Sequence, residues 1–188
     1  MILHDIDELP SEVPFVATLG VFDGVHVGHQ HVLRTLTEAA ASVGATAVVI
    51  TFDPHPEAVV LGRAPELLCD LGERIERLHA GGADIVVVQR FDEAFRQQSA
   101  AAFLDRLRLG RRMRGLVMSP ESAFGHDREG TVELARRLAA AEGWRLVETP
   151  LLEIDGERVS SARIRSLLAD GRQADAERLL ARALVEPD

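Results

Sequence analysis

The sequence predicts an α/β fold: a Rossmann-like, doubly wound parallel sheet of five strands with helices on both faces. Two observations lead to this prediction. Short apolar runs of strand length recur along the 188 residues, and segments with helical periodicity separate them. The alternation of strands with helices is typical of a parallel sheet that is covered on both faces. The predicted strands are 15–19, 47–52, 85–88, 116–118 and 146–148.

The segments between and after these strands have the spacing of helices. In the first of them, Val32, Leu33 and Leu36 lie on one face. Further along, Ser99 precedes an alanine-rich run and Gly110 follows it, which are signals for the start and the end of a helix. Ligands of such sheets bind at the carboxyl ends of the strands. The predicted helices are 30–42, 72–80, 99–109, 129–141, 160–168 and 173–183.

Length and composition favour one domain, residues 1–188, whose residues from about 173 onward are a C-terminal helix and tail. The net charge of -9 argues against a general binder of nucleic acid or membrane surfaces. Neither a membrane-spanning apolar run nor a signal-peptide pattern is present, so we expect a cytoplasmic protein. The single cysteine, Cys69, excludes an internal disulfide. The sequence predicts no particular oligomeric state.

All 21 basic residues are arginines. A phosphate-binding loop of the Walker type needs a lysine, and so does Schiff-base chemistry. Both are therefore excluded. Any contacts to phosphate must come from arginine, histidine, hydroxyl groups and backbone N–H groups.

The segment Gly-Val-Phe-Asp-Gly-Val-His-Val-Gly-His, residues 20–29, lies where the first predicted strand gives way to a helix. Its glycines allow the backbone to approach a ligand, and the unpaired N–H groups at the start of a helix attract anions. His26 and His29 are three residues apart and so share one helix face. The segment predicts a site for a phosphate chain. A zinc site made by these two histidines with Asp23 and His31 is the alternative, but His31 lies on a different face, and we predict no protein-held metal.

Three further segments carry groups that suit chemistry. Thr-Phe-Asp-Pro-His-Pro (51–56) holds a carboxylate and an imidazole at a strand exit, although Asp-Pro is also ordinary turn chemistry. Phe-Gly-His-Asp-Arg-Glu-Gly (124–130) is a charged loop, or simply a solvated turn. Ser-Ser-Ala-Arg-Ile-Arg (160–165) is either a helix cap with a surface helix or a second phosphate site.

Taken together, these four segments resemble one family in order and spacing from about residue 17 to residue 180. The chain resembles the FMN adenylyltransferase half of bacterial bifunctional riboflavin kinase/FAD synthetases, within the HxGH nucleotidyltransferase superfamily. The resemblance implies that FMN and ATP are substrates, that FAD and pyrophosphate are products, and that Mg²⁺ is bound with ATP. It implies in-line attack of the FMN phosphate on the α-phosphorus of ATP, without a covalent enzyme intermediate.

The resemblance also implies roles for residues. His26 and His29 would be catalytic, in contact with the ATP phosphates. The expected ATP-binding residues are Gly20, Phe22, Asp23, Gly24, His26, His29, Ser160, Ser161 and Arg165. The expected flavin-binding residues are Asp53, His55, Pro56, Phe124 and Arg128, with Asp53, His55 and Pro56 also on the Mg²⁺ side.

The chain departs from the family pattern in three places. Residues 119–122 are Ser-Pro-Glu-Ser instead of Gly-x-Asp-Phe or Gly-x-Asn-Phe, and Ala162 replaces a threonine. Residues 179–184 lead to the last residues of the sequence instead of into a kinase barrel, so we expect an adenylyltransferase without the kinase domain. These departures leave two alternatives open: an adenylyltransferase for another phosphate acceptor, or a flavin- or nucleotide-binding protein without turnover.

Overall fold

A computed structural model describes residues 1–181 of the chain. Its strands are β1 (Ile2–Leu3), β2 (Pro14–Leu19), β3 (Thr46–Asp53), β4 (Ile85–Arg90), β5 (Arg112–Met118), β6 (Arg145–Glu148), β7 (Glu153–Ile154) and β8 (Glu157–Arg158). Its α-helices are α1 (Val27–Ser42), α2 (Pro56–Val60), α3 (Leu71–Ala80), α4 (Glu93–Arg96), α5 (Ala100–Arg108), α6 (Val132–Glu142), α7 (Ser161–Ala169) and α8 (Gln173–Leu180).

The first six strands form one parallel sheet in the order β1, β4, β3, β2, β5, β6. From the central strand β2 the chain continues to β3 and β4 on one side, and it then crosses to β5 and β6 on the other. Such a reversal leaves a crevice outside the carboxyl ends of the two strands that flank it. Here those strands are β2 and β5, and the crevice opens above Leu19 and Met118.

Each face of the sheet packs on its own hydrophobic core. Neighbouring side chains of β2 point to opposite faces, so Phe15 and Ala17 enter one core and Val16 enters the other. The helices α5 and α6 cover the first face, and α1 and α3 cover the second. A third, smaller cluster joins α7 and α8 to Leu68, and it fixes both helices beside the start of α1.

The α/β class, the parallel sheet and the helices on both faces are confirmed, but the sheet has six strands and not five. The additional strand, β1, has only two residues and lies beside β4, with Ile2 opposite Val86. Two residues are too short for hydrophobic periodicity to indicate a strand. The hairpin of β7 and β8 was not predicted either, because its strands are equally short.

Helix boundaries differ from the predicted ones by up to three residues: α1 begins at Val27 and not at residue 30, and α6 begins at Val132 and not at residue 129. The backbone of Gly130 pairs with Phe124, and Thr131 caps the helix, so the residues before 132 belong to the loop. The last predicted helix ends at Leu180, and residues 182–188 of the predicted helix and tail lie outside the described residues. Within residues 1–181 no helix is long and apolar enough to cross a membrane.

Candidate active site

A cavity of about 860 Å³ opens at the carboxyl edge of the sheet, above the crevice between β2 and β5. This size is in the range of small-molecule sites in proteins. Leu19 at the end of β2 and Ser119 directly after β5 both line it, as the topology requires. The predicted site residues that line the cavity are Gly20, Phe22, His29, His55, Pro56, Phe124 and Arg128.

The loop between β2 and α1 is wound tightly, and Gly24 makes this possible. Gly24 has a φ of +77°, and a Cβ atom placed there would lie 2.9 Å from Cβ of Leu68. Only glycine combines that dihedral angle with so little space. The turn brings His26 to the N-cap of α1, where its Nδ1 accepts a hydrogen bond from the backbone N–H of His29 at 3.2 Å.

The two predicted histidines form a stacked pair with unequal exposure. Their ring centroids are 3.6 Å apart and their planes differ by 14°. His26 is only 4% exposed, whereas His29 lines the cavity. His29 Nδ1 is buried without a hydrogen-bond partner among the described residues. Consequently, His29 is the histidine placed to meet a ligand, and His26 supports it from behind.

Both histidines are neutral at pH 7 in the absence of a ligand. Burial lowers the pKa of His26 to about 4. Burial also lowers the pKa of His29 well below its usual value, and the charge of His26 when it is protonated and the charge of Arg74 add to this effect. Because Nδ1 of His26 accepts a hydrogen bond, its neutral ring carries the proton on Nε2. The neutral ring of His29, which lines the cavity, therefore carries an N–H donor for an anion but no positive charge.

This burial predicts a loss of stability in mild acid. Between about pH 6.5 and pH 4 the unfolded chain binds a proton at His26 that the folded chain does not bind, so stability falls as the pH is lowered. From pH 7 to pH 5 we expect His26 alone to lower the free energy of unfolding by roughly 2 kcal/mol. Urea unfolding at both pH values, compared between the unmodified protein and His26→Asn, measures this difference.

The asparagine of His26→Asn retains an N-cap acceptor but does not titrate. Its free energy of unfolding is expected to depend less steeply on pH than that of the unmodified protein. Equal slopes for the two proteins would show that His26 is not buried in the neutral form.

Asp23 connects the histidine loop to two distant segments. Its Oδ2 is 2.7 Å from Nη1 of Arg165 in α7, and its Oδ1 accepts the backbone N–H of Leu68 at 2.9 Å. Its carbonyl oxygen accepts a hydrogen bond from the hydroxyl of Ser161 at 3.0 Å. Cys69 contributes one more bond, because its Sγ accepts the N–H of Gly24 at 3.2 Å. These contacts hold the loop against α7.

The second predicted phosphate segment therefore lies beside the first. Ser160 caps α7 by accepting the N–H of Arg163 at 3.2 Å, and a Cβ added to Gly28 would lie 3.6 Å from the carbonyl oxygen of Val159. Six of the predicted site residues do not line the cavity itself: Ser160, Ser161, Arg165, Asp23, Gly24 and His26. They form its support at the starts of α1 and α7, where two helix N-termini come together.

The end of β3 contributes a different group of residues. His55 caps α2, where its Nδ1 accepts the N–H of Glu57 at 3.2 Å, and both His55 and Pro56 line the cavity. Burial lowers the pKa of His55. Asp53 is exposed beside them, outside the cavity wall, and a cis peptide bond joins it to Pro54. On the opposite rim, Arg128 donates a hydrogen bond to the carbonyl oxygen of Glu121 at 3.3 Å.

Five of the seven phenylalanines form an aromatic wall of the cavity, of which sequence reasoning had predicted only Phe124 as a flavin-binding residue. Successive ring centroids are 5.4–6.0 Å apart, in tilted or edge-to-face geometry. The spacing of Phe91 and Phe95 in the sequence was the signal from which the wall could have been predicted. The wall consists of Phe52, Phe91, Phe95, Phe103 and Phe124.

Arg74 was missed as well. This arginine of α3 is 1% exposed, and its Nη1 donates to the carbonyl oxygen of Phe52 at 3.0 Å and approaches Oγ1 of Thr51 at 3.4 Å. Thr51 in turn donates to the carbonyl oxygen of Val21 at 2.9 Å. A buried positive charge thus lies beneath the loop that precedes the histidine pair.

Comparisons with known proteins identify the family of this chain. A sequence model of the FAD synthetase family matches residues 9–163. The bifunctional riboflavin kinase/FMN adenylyltransferase of Pseudomonas fluorescens is 34% identical over 181 residues, which cover 96% of this chain and 58% of that protein. The protein of the same name from Escherichia coli strain K12 is 33% identical over 180 residues, covering 95% of this chain and 57% of the relative. The chain thus spans somewhat more than half of these two relatives.

Solved structures have the same fold. A macrolide-efflux protein from Streptococcus pneumoniae superposes with a TM-score of 0.84 at 25% identity, over 97% of this chain and 61% of that one. The pantothenate synthetase of Thermus thermophilus superposes with a TM-score of 0.55 at 18% identity, over 96% and 80% of the two chains, which shows a likeness of fold alone. With the family match extending over most of its length, this chain belongs to the FAD synthetase family.

Proposed function

We propose that this chain, as one nucleotidyltransferase domain, transfers the adenylyl group of ATP to FMN and forms FAD and pyrophosphate. The observation that carries the proposal is that one cavity combines His29 at a helix start with a wall of five phenylalanines. The first feature suits a phosphate chain and the second suits a planar ring. The names of the Pseudomonas and Escherichia coli relatives support the same reaction.

The proposed reaction is a direct displacement at the α-phosphorus of ATP. An oxygen of the FMN phosphate bonds to the α-phosphorus of ATP, and the bond from that phosphorus to the oxygen bridging to the β-phosphate breaks. The electron pair leaves with pyrophosphate. Such a transfer depends on the alignment of the two substrates and on donors placed where negative charge collects.

The residues divide into two groups in this proposal. The ATP phosphates lie against the starts of α1 and α7, where Gly20, Phe22 and Gly24 shape the loop and His29 donates to the phosphoryl oxygens. Asp23 holds Arg165 and Ser161 in place on that side. The flavin side comprises His55, Pro56, Phe124 and Arg128 together with the aromatic wall.

Mg²⁺ would enter with ATP. Among residues 1–181 no group of three or more His, Cys, Asp or Glu side chains is placed to hold a metal ion. Mg²⁺ is commonly bound by one or two carboxylates, waters and substrate phosphates, and the exposed Asp53 at the end of β3 fits that pattern. When bound, the ion supplies neutralisation of phosphate charge.

Incubation with ATP, Mg²⁺ and FMN, followed by chromatography of the flavins and a pyrophosphate assay, tests the proposal. We expect FAD and pyrophosphate in equal amounts, and no product with riboflavin, which lacks the attacking phosphate. Pyrophosphate release with a different phosphate acceptor but not with FMN would show that this acceptor, and not FMN, is the substrate. Thermal stabilisation by ATP and FMN without any product, even at enzyme concentrations equal to those of substrate, would indicate a binding protein and overturn the proposal.

A further inference from the structure

Gln98 lies between α4 and α5 and lines the cavity beside the aromatic wall. Its backbone is fixed from both sides. Its N–H donates to the carbonyl oxygen of Phe95 at 3.1 Å, and its carbonyl oxygen accepts the N–H of His126 at 2.8 Å. These two bonds tie the backbone of Gln98 to α4 on one side and to the loop 124–130 on the other.

The side-chain amide of Gln98 is not satisfied within the described chain. Its Oε1 is buried and has no hydrogen-bond partner among residues 1–181. The other glutamines nearby differ: the amide of Gln97 donates to Glu93 at 2.7 Å, and the buried Gln89 accepts the N–H of Ile6 at 3.0 Å. A buried, unpaired amide oxygen costs about 1–3 kcal/mol, so folded proteins rarely keep one without a use.

The surroundings of Gln98 indicate what that use is. Phe95, Phe103 and Phe124 line the same cavity as Gln98, and the ring centroids of Phe95 and Phe103 are 6.0 Å apart and those of Phe103 and Phe124 are 5.4 Å apart. In a mostly apolar pocket, a few placed polar groups fix the orientation of the ligand. An amide offers an acceptor and a donor side by side. It matches a planar ring edge that carries an N–H beside a carbonyl group, which is the pyrimidine edge of a flavin.

We propose that Gln98 is a specificity-determining residue that binds the pyrimidine edge of the acceptor's flavin ring. This inference rests on the proposed function, because it assigns the flavin ring to the aromatic end of the cavity. The phosphate of FMN then extends away from Gln98 toward His29, which lines the same cavity. Gln98 orients the acceptor, and His29 acts on the ATP phosphates.

The test compares Gln98→Leu with Gln97→Leu, which changes the neighbouring glutamine that pairs with Glu93. Steady-state kinetics with FMN and ATP should give Gln98→Leu a KM for FMN about ten-fold higher, with the KM for ATP unchanged. Gln97→Leu should leave both constants unchanged. The melting temperature of Gln98→Leu should not fall, since leucine removes an unpaired polar group.

A flavin analogue separates recognition from packing. FMN methylated at N3 lacks the ring N–H, so the unmodified protein should bind it about ten-fold more weakly than FMN. Gln98→Leu should bind the two flavins equally. If the leucine variant does not fold, Gln98→Met, with an unbranched side chain of similar length, takes its place in both measurements.

The inference would be overturned if the KM for FMN were unchanged in Gln98→Leu, or if both proteins preferred FMN over the methylated flavin to the same extent. Neither result would affect the conclusion that the protein synthesises FAD. Absence of FAD synthesis by the unmodified protein would instead overturn the proposed function, and the inference with it. The two failures are therefore distinguishable.

Discussion

His29→Ala is expected to lower the rate of FAD formation by about 100- to 1,000-fold, the usual effect of losing one donor to a developing negative charge. His29 lines the cavity and is stacked on the almost completely buried His26, so its ring is held in place before any substrate binds. Pre-positioning of this kind is what makes a single donor effective. Rapid-quench measurement of FAD under single-turnover conditions detects the change in the chemical step.

The same substitution should change stability little. It removes a ring contact but also a buried Nδ1 that has no partner in the described part of the chain, and it places a strong helix former in α1. We expect a loss of less than about 1 kcal/mol in the free energy of unfolding. His31→Ala, two residues further along α1, is the matched control and should retain the unmodified rate. A His29→Ala enzyme with an unchanged rate would contradict the phosphate role of this histidine.

Asp23→Ala is expected to lower the free energy of unfolding by about 3 kcal/mol. The carboxylate is almost fully buried and accepts from both Arg165 and the backbone of Leu68. Its removal leaves the N–H of Leu68 and a largely buried guanidinium without this acceptor. Breaking a buried ion pair from one side is costly because the remaining charge stays in place. Denaturant unfolding at neutral pH measures the loss.

Glu133→Ala is the control for Asp23→Ala. Glu133 pairs with Arg136 on the surface of α6, where both side chains are more than half exposed, and its loss should cost less than about 1 kcal/mol. The double variant Asp23→Ala/Arg165→Met should be more stable than Asp23→Ala alone, because it removes the uncompensated charge. Losses of similar size for Asp23→Ala and Glu133→Ala would show that the Asp23–Arg165 pair does not stabilise the fold.

The sequence was most informative where a short segment builds a feature by itself. The i, i+3 spacing of His26 and His29 was sufficient to place both rings at the start of α1. Their stacking and unequal burial depend on the turn at Gly24 and on Leu68 beneath it. The spacing of residues along the sequence does not indicate such contacts between segments.

Features assembled from distant segments escaped sequence reasoning. The aromatic wall joins β3, the segment around α4, α5 and the loop after β5. Apart from Phe124, its members have the sequence pattern of ordinary core phenylalanines. Arg165 was expected at a phosphate, and the chemistry that binds phosphate equally suits the carboxylate of Asp23. Composition alone cannot distinguish the two partners.

The bond between Asp23 and Arg165 also has a consequence for the order in which parts of the protein fold during synthesis. It joins residues 142 positions apart, so a chain emerging from a ribosome contains the complete histidine loop long before its partner in α7 exists. Contacts of such long range form late because the intervening chain must first be ordered. The nascent protein should therefore have a folded central sheet while it is still unable to retain nucleotide, and binding competence should arise only when α7 is released.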